Sequence, residues 1–95
     1  MGINNSGDIF IGLYWPGRLY RSTDQGKNWV QLKNGFPEDN NNNINVITIK
    51  SSGEIFVGTA GDGIFLSTDN GNSWKQANNG LSNLVISDIS IKSTG

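Results

Sequence analysis

The chain has 95 residues, the size of one small domain, and a chain this short buries a smaller fraction of its surface than a long one. We therefore expect a thin stability margin and self-association. Seven Lys and Arg residues oppose eight Asp and Glu residues, and the hydrophobic residues, 35% of the chain, occur in short runs. This composition argues against a basic nucleic-acid surface and against an apolar membrane span of about 20 residues.

The residue types also exclude several kinds of chemistry. The sequence has no Cys and no His, so we predict no disulfide, no thiolate or imidazole metal site and no cofactor. The first five residues have neither the basic region nor the apolar run of a signal peptide. The leader of a secreted parent would lie outside this sequence, and the compartment is not predicted.

The sequence contains one internal repeat with a period of 45 or 46 residues. The segment 6–12 recurs as 52–58, shifted by 46 residues, and the segment 22–29 recurs as 67–74, shifted by 45. Asn34-Gly35 recurs as Asn79-Gly80, and 44–53 recurs as 86–95 after 42 residues. A period in this range is typical of β-propeller blades, which repeat one small sheet around a ring.

Each period contains four short runs rich in Ile, Val, Phe and Leu that end at Gly, Asn, Asp or Ser, the pattern of β-strands. In chain order, the first copy opens with the tail of a strand A in 3–7 and continues with strands B, C and D. The second copy has strand A at 44–50, B at 54–59, C at 63–67 and D at 73–77, and 86–92 repeats strand A. We predict an all-β fold of two four-stranded antiparallel sheets in the circularly permuted order B-C-D-A-B-C-D-A.

Adjacent apolar residues indicate that both faces of these strands are covered. Ile55, Phe56 and Val57 are consecutive, and side chains alternate between the two faces of a sheet. Stacked propeller blades cover both faces, whereas a lone meander leaves one face in water. A β-sandwich of unrelated strands is the alternative, but it gives no reason for the repeat.

The segment between strands C and D has the same pattern in both copies. Its members are Ser22, Asp24, Gly26 and Trp29 in the first copy and Ser67, Asp69, Gly71 and Trp74 in the second. Both copies resemble the Asp-box, or BNR repeat, of sialidase-like β-propellers, with Asn28 and Ser73 where that family has Thr. The resemblance implies a structural role, with each Asp fixing the turn between the third and fourth strands of a blade. We also expect both Trp rings to be buried between sheets.

The permuted order leaves a strand incomplete near each end of the two-blade unit 1–95. We assign 3–43 to a first blade, 44–80 to a second blade, and 81–95 to a connection and a lone strand A. An unpaired strand edge attracts another chain, so we expect 86–92 of one copy to complete the first blade of the next. Head-to-tail contacts can close into rings. Three copies give six blades and four give eight, and we favour the homotrimer.

The two-period length is compatible with a piece excised or engineered from a longer propeller, and a natural short lectin is the competing explanation. For function, we favour a non-catalytic structural or protein-interaction scaffold whose partner is itself. A carbohydrate-binding module is the alternative, because the B–C loop of the first copy inserts aromatic and Arg residues. The candidate glycan-binding residues are Tyr14, Trp15, Arg18 and Asp62. Packing of the two aromatic residues between blades is the competing interpretation.

A sialidase-like glycoside hydrolase is the least favoured function. The resemblance implies an arginine triad and a Tyr nucleophile with acidic partners, whereas the chain has only Arg18 and Arg21. We therefore predict no catalytic residues. The Asn run at 40–43 lacks the alternating carboxylates of a calcium loop, so no metal site is predicted either.

Overall fold

The computed structural model describes residues 1–13, 18–36, 43–81 and 83–90, and over these residues the secondary structure is entirely β. The strands form two four-stranded antiparallel sheets, in the orders β1-β2-β3-β4 and β5-β6-β7-β8. The first sheet contains β1 (Gly2–Ile3), β2 (Ile9–Gly12), β3 (Leu19–Ser22) and β4 (Val30–Leu32). The second contains β5 (Ile44–Ile49), β6 (Ile55–Thr59), β7 (Ile64–Ser67) and β8 (Lys75–Gln76). No helix that could cross a membrane occurs among the described residues.

The all-β prediction and the two four-stranded antiparallel sheets are confirmed. The registers agree with the sequence repeat: Gly12 pairs with Leu19 in the first sheet, and Gly58 pairs with Ile64 in the second. The strands are short because tight turns reverse the chain between them. One such turn contains Gly53, whose φ of 100° is readily adopted only by Gly.

The first strands of the two sheets, β1 and β5, are both edge strands and differ in length. β5 pairs with β6 from Ile44↔Thr59 to Ile49↔Ile55, whereas β1 pairs with β2 only at Gly2↔Phe10 and Ile3↔Ile9. The strand-A tail predicted in 3–7 therefore overlaps β1 only at Ile3, since the chain turns at residues 5 and 6. The rest of β2 has no partner strand on this side among the described residues.

Within the single chain, the described part of 86–92 is not a strand, and its predicted pairing with another copy stays a prediction. Residues 86–90 form no strand, and the nearest pairing is an isolated antiparallel bridge between Ala60 and Val85. A strand needs a neighbour along its length, and none of the described residues provides one here. Residues 91 and 92 lie outside the described residues.

The two sheets pack face to face. We call the face of the first sheet that meets the second sheet its front face, and the opposing face of the second sheet its rear face. The rear face of the first sheet and the front face of the second are then the two outward-facing sides. The shared core contains Phe10, Leu19 and Leu32 from the first front face and Ile44, Ile55, Val57, Phe65 and Trp74 from the second rear face.

Close approach of the sheets depends on Gly12. A Cβ atom at this position would lie 2.2 Å from Cγ2 and 2.6 Å from Cβ of Ile44. Ile44 is 4% exposed and its N–H donates to the Leu13 carbonyl at 3.3 Å, so the Ile44 side chain has little room to move. Only Gly therefore fits here without shifting the sheets.

We predict that Gly12→Ala lowers the free energy of unfolding by about 1–3 kcal/mol, the usual cost of overpacking a core. In an unhindered strand the same change would be stabilising, because Ala has less backbone freedom to lose than Gly. Urea unfolding followed by Trp fluorescence measures the effect. The exposed substitution Gln31→Ala is the control, and an equal or higher stability for Gly12→Ala would contradict the packing described.

Candidate functional site

The turns 22–29 and 67–74, here called the first and second Asp turns, have the same hydrogen bonds. In the second turn Asp69 Oδ1 accepts from Ser67 Oγ at 2.9 Å and from the Ser73 N–H at 2.9 Å, while Oδ2 accepts from Ser73 Oγ at 2.6 Å. The N–H of Gly71 donates to Ser67 Oγ at 2.8 Å. In the first turn Asp24 accepts from Ser22 Oγ, the Asn28 N–H and Asn28 Nδ2 at 2.8, 2.8 and 2.7 Å. Short side chains thus close each turn locally.

These bonds keep both carboxylates ionised. The hydroxyl of Ser73, followed by the Ser73 N–H, lowers the pKa of Asp69 from 3.8 to about 2. The side-chain amide of Asn28 has the main effect on Asp24 and also lowers its pKa. A carboxyl group with such a low pKa is a poor proton donor at neutral pH. The Asp turns therefore suit a structural role better than acid catalysis.

The predicted glycan-binding residues are only partly described. Tyr14 and Trp15 lie outside the described residues. Arg18 is half-buried directly before β3, and its carbonyl accepts from the Leu13 N–H at 2.8 Å. Asp62 lies in the turn between β6 and β7, where its N–H donates to Thr59 Oγ1 at 2.9 Å and its carbonyl accepts from Asn78 Nδ2 at 3.2 Å. The part of the chain that is described holds no group of three acidic residues that could bind a metal ion.

The two Trp residues of the Asp turns differ in burial. Trp74 is 4% exposed and Trp29 is 39% exposed, although both indole N–H groups donate within their own turn, to Gly71 and Gly26 respectively. Phe36, in the loop after β4, packs on Trp74 with the ring centroids 5.3 Å apart and the ring planes tilted by 42°. The expectation that both Trp rings are buried is therefore wrong for Trp29 within one chain, where no aromatic ring of the described residues packs on it as Phe36 packs on Trp74.

The same asymmetry affects the apolar residues on the rear face of the first sheet. Ile55, Val57 and Phe65 in the second sheet are completely buried, at 0% exposure. Their counterparts by repeat are Ile9, Ile11 and Tyr20, and all three are only half-buried. Ile3, the counterpart of the half-buried Ile49, is 57% exposed. The rear face is therefore buried in the second sheet, whereas in the first sheet the same face leaves apolar side chains partly exposed.

Polar contacts join the outer ends of the sheets. The Trp74 N–H donates to the Asn34 carbonyl at 3.0 Å, and Asn34 Nδ2 donates to the Asn72 carbonyl at 3.2 Å. Arg21 Nη1 reaches the Asn70 carbonyl at 2.7 Å and Asn72 Oδ1 at 3.0 Å. β3 and the loop after β4 therefore both bind the second Asp turn.

The segment 86–90 contacts the second sheet in the way that the start of β5 contacts the first sheet. The Ile86 N–H donates to the Thr59 carbonyl at 2.8 Å, as the Ile44 N–H donates to Leu13. Ile86 also lies over Gly58, where an added Cβ would be 2.5 Å from its Cγ2. The start of this segment thus repeats the contacts that the start of β5 makes.

Two side chains of β5 hold the rest of this segment. Asn45 Nδ2 donates to the Ile86 carbonyl at 2.8 Å, and Thr48 Oγ1 donates to the Ile89 carbonyl at 3.0 Å. The segment therefore lies along the front side of β5. The sequence assigned this segment no place within its own chain, and these two contacts were missed because they join side chains of β5 to carbonyls 41 positions away.

Comparison of the chain with protein-family models, with curated proteins and with solved structures finds no match. The site is therefore interpreted from its own geometry. Its main features are two Asp turns, one exposed apolar rear face and one extended segment with a free side.

We predict unequal costs for the two Trp truncations. Trp74→Ala should lower the free energy of unfolding by about 3–5 kcal/mol, because it empties a buried core position. Trp29→Ala should cost about 1 kcal/mol or less, as for a partly exposed residue. Both are measured by urea unfolding at a concentration where the chain is monomeric, and equal costs would contradict the difference in burial.

We also predict that Ser73→Ala raises the pKa of Asp69 from about 2 toward 3.8, because the largest cause of the lowering is removed. The folded-state pKa is depressed, so this carboxylate stabilises the fold fully above its ordinary pKa of 3.8, and the contribution is lost as the pH falls toward 2. The variant should lose less stability over that window.

Carboxyl ¹³C chemical shifts, recorded against pH, measure this pKa. Ser52→Ala is the matched control, because the Ser52 hydroxyl lowers the pKa of Glu54 and does not contact Asp69. An unchanged pKa of Asp69 in Ser73→Ala would refute the assignment.

Proposed function

We propose that the protein is a non-catalytic scaffold of the Asp-box propeller type that assembles with copies of itself. In this assembly, 86–92 of one copy supplies the missing length of strand A to the first sheet of the next copy. The partner is a second copy of the chain, and the product is a ring of sheets with no cofactor.

The observation that carries this proposal is the position of Ile86. It has the same hydrogen bond and the same glycine contact on the second sheet that Ile44 has on the first. Ile44 begins a strand that goes on to pair with β6. By repeat, a strand that begins at Ile86 would pair with the counterpart of β6, which is β2. The β2 strand that it pairs with belongs to the next copy.

The first sheet supplies the complementary feature. Next to the short β1, a groove is lined by Met1, Gly12, Ile44, Asn45, Val46 and Ile47. In the second sheet the equivalent space is filled by the first half of β5. An extended segment entering this groove would pair with the free edge of β2, since open strand edges favour added strands.

Head-to-tail pairing of this kind is heterologous and forms a ring when the rotation closes. Three copies give six sheets and four give eight, both within the usual range of about four to eight blades. We favour three copies. The low pKa of Asp69 and Asp24 and the local use of their oxygens support a scaffold rather than a hydrolase.

We predict a mass of about 31 kDa by light scattering at high concentration, for three copies of 10.3 kDa. Dilution should dissociate the ring toward 10.3 kDa, because each contact is non-covalent. A mass of 10.3 kDa at every concentration would remove the proposal, and about 41 kDa would replace the trimer by a tetramer.

Asp88→Pro tests the strand itself. Asp88 is exposed and aligns with Val46 in the middle of β5, so Pro removes a strand hydrogen bond without disturbing a described contact of the single chain. The variant should remain monomeric, whereas Asp88→Thr, which keeps the N–H, should assemble. Assembly of Asp88→Pro at wild-type concentration would show that strand exchange is not used.

A further inference from the structure

Among the described residues, five of the eight large apolar side chains that are exposed lie on or beside two opposite faces. One is the rear face of the first sheet, with Ile3 57% exposed and Trp29 39% exposed. The other is the front face of the second sheet and the loop beside it. There Leu81 is 39%, Leu84 38% and Val85 58% exposed. Phe56, Ile64 and Leu66 on β6 and β7 are only half-buried on this face.

Building on the proposed function, we propose that these two faces bind each other between copies. The front face of the second sheet of one copy packs on the rear face of the first sheet of the next. Leu81 enters beside the rings of Tyr20 and Trp29, and the loop at Asn79-Gly80 lies on the backbone of Trp29.

The packing within one chain provides the template for this contact. By repeat, Leu81 corresponds to Phe36, while Tyr20 and Trp29 correspond to Phe65 and Trp74. Phe36 packs on Phe65 with the ring centroids 4.6 Å apart and on Trp74 at 5.3 Å. Leu81 on one outward face and Tyr20 and Trp29 on the other therefore occupy the same repeat positions as Phe36, Phe65 and Trp74, which pack together within one chain.

The polar contacts of the template are also available. Asn34, whose carbonyl accepts from the Trp74 N–H, corresponds to Asn79, which is exposed. Among the described residues no backbone carbonyl accepts from the backbone N–H of Trp29. Asn79 of a neighbouring copy would supply that carbonyl, and its side-chain amide would reach the carbonyl of Lys27 as Asn34 reaches Asn72.

The glycine next to this Asn gives the sharpest comparison. A Cβ at Gly35 would lie 2.0 Å from the Trp74 carbonyl oxygen, so the loop touches the backbone of the second Asp turn. A Cβ at Gly80 would meet nothing within 4 Å in the single chain, although both residues have positive φ, 100° and 88°. The space over Gly80 is where the backbone of Trp29 from another copy would lie.

A second copy is the occupant because one chain carries both halves of the contact. The two faces lie on opposite sides of the chain and differ from each other, so pairing is head-to-tail and not two-fold symmetric. This geometry is also continuous with the seat of 86–90, which lies beside the same front face.

Two single-face variants test the pairing. Leu81→Asp disables the front face and Trp29→Asp disables the rear face, and both residues are partly exposed in the single chain. Each variant alone should be monomeric. An equimolar mixture should form a 1:1 dimer of about 21 kDa, twice 10.3 kDa, because one intact front face meets one intact rear face. Circular dichroism and thermal unfolding of the separate variants verify that each is folded.

Gly80→Ala tests the same contact without adding charge. It should weaken association by about tenfold or more, since the new methyl group would overlap the backbone of Trp29 in the neighbouring copy. The matched control is Gly53→Ala, which has a φ of 100° and equally open space. Its counterpart Gly7 stays open in the template, so Gly53→Ala should assemble like the wild type.

The masses of these variants decide between face pairing and strand exchange. Assembly of either single-face variant by itself, or a mixture that stays monomeric, would overturn the face pairing. Equal association of Gly80→Ala and Gly53→Ala would do the same. If these variants assemble while Asp88→Pro does not, the face pairing fails and strand exchange stands; the reverse result would keep the face pairing and remove strand exchange.

Discussion

The structure depends on the need to cover both faces of each small sheet. Apolar residues are adjacent along β2, β6 and β7, so the alternation of side chains places some on each face. A sheet of four short strands cannot shield both faces by itself. The front face of the first sheet and the rear face of the second cover each other. The rear face of the first sheet and the front face of the second are left partly exposed.

Glycine sets how closely this stacking occurs. Gly12 lets the Ile44 side chain press against the backbone of β2, and Gly58 does the same for Ile86. Because the two contacts are alike, the step from the first sheet to the second is repeated at the start of 86–90. The chain thus contains one complete sheet-to-sheet step and the beginning of another, which is why the proposed assembly continues in one direction.

The second Asp turn adds polar contacts to the same packing of one sheet on the other. Ser67 and Asp69 close the second turn with their own side chains, so its backbone is presented to the first sheet in one conformation. Arg21 and Asn34 then bind that backbone. A loop held by local hydrogen bonds needs little further ordering when it meets another sheet, and this makes the exposed first turn a suitable surface for docking.

Sequence by itself determined the repeat, the positions of the four strands in the second copy and the shortened strand A of the first copy. Apolar runs and turn residues are local properties of the chain, and the repeat of about 45 residues is visible in the sequence alone. Tertiary structure decided which repeated residues are buried. Trp29 and Trp74 have the same local pattern, but only Trp74 has a sheet in front of it. It also decided the place of 86–90, since the bonds from Asn45 and Thr48 join residues 41 positions apart, and burial and such long-range contacts depend on neighbours in space that no local pattern encodes.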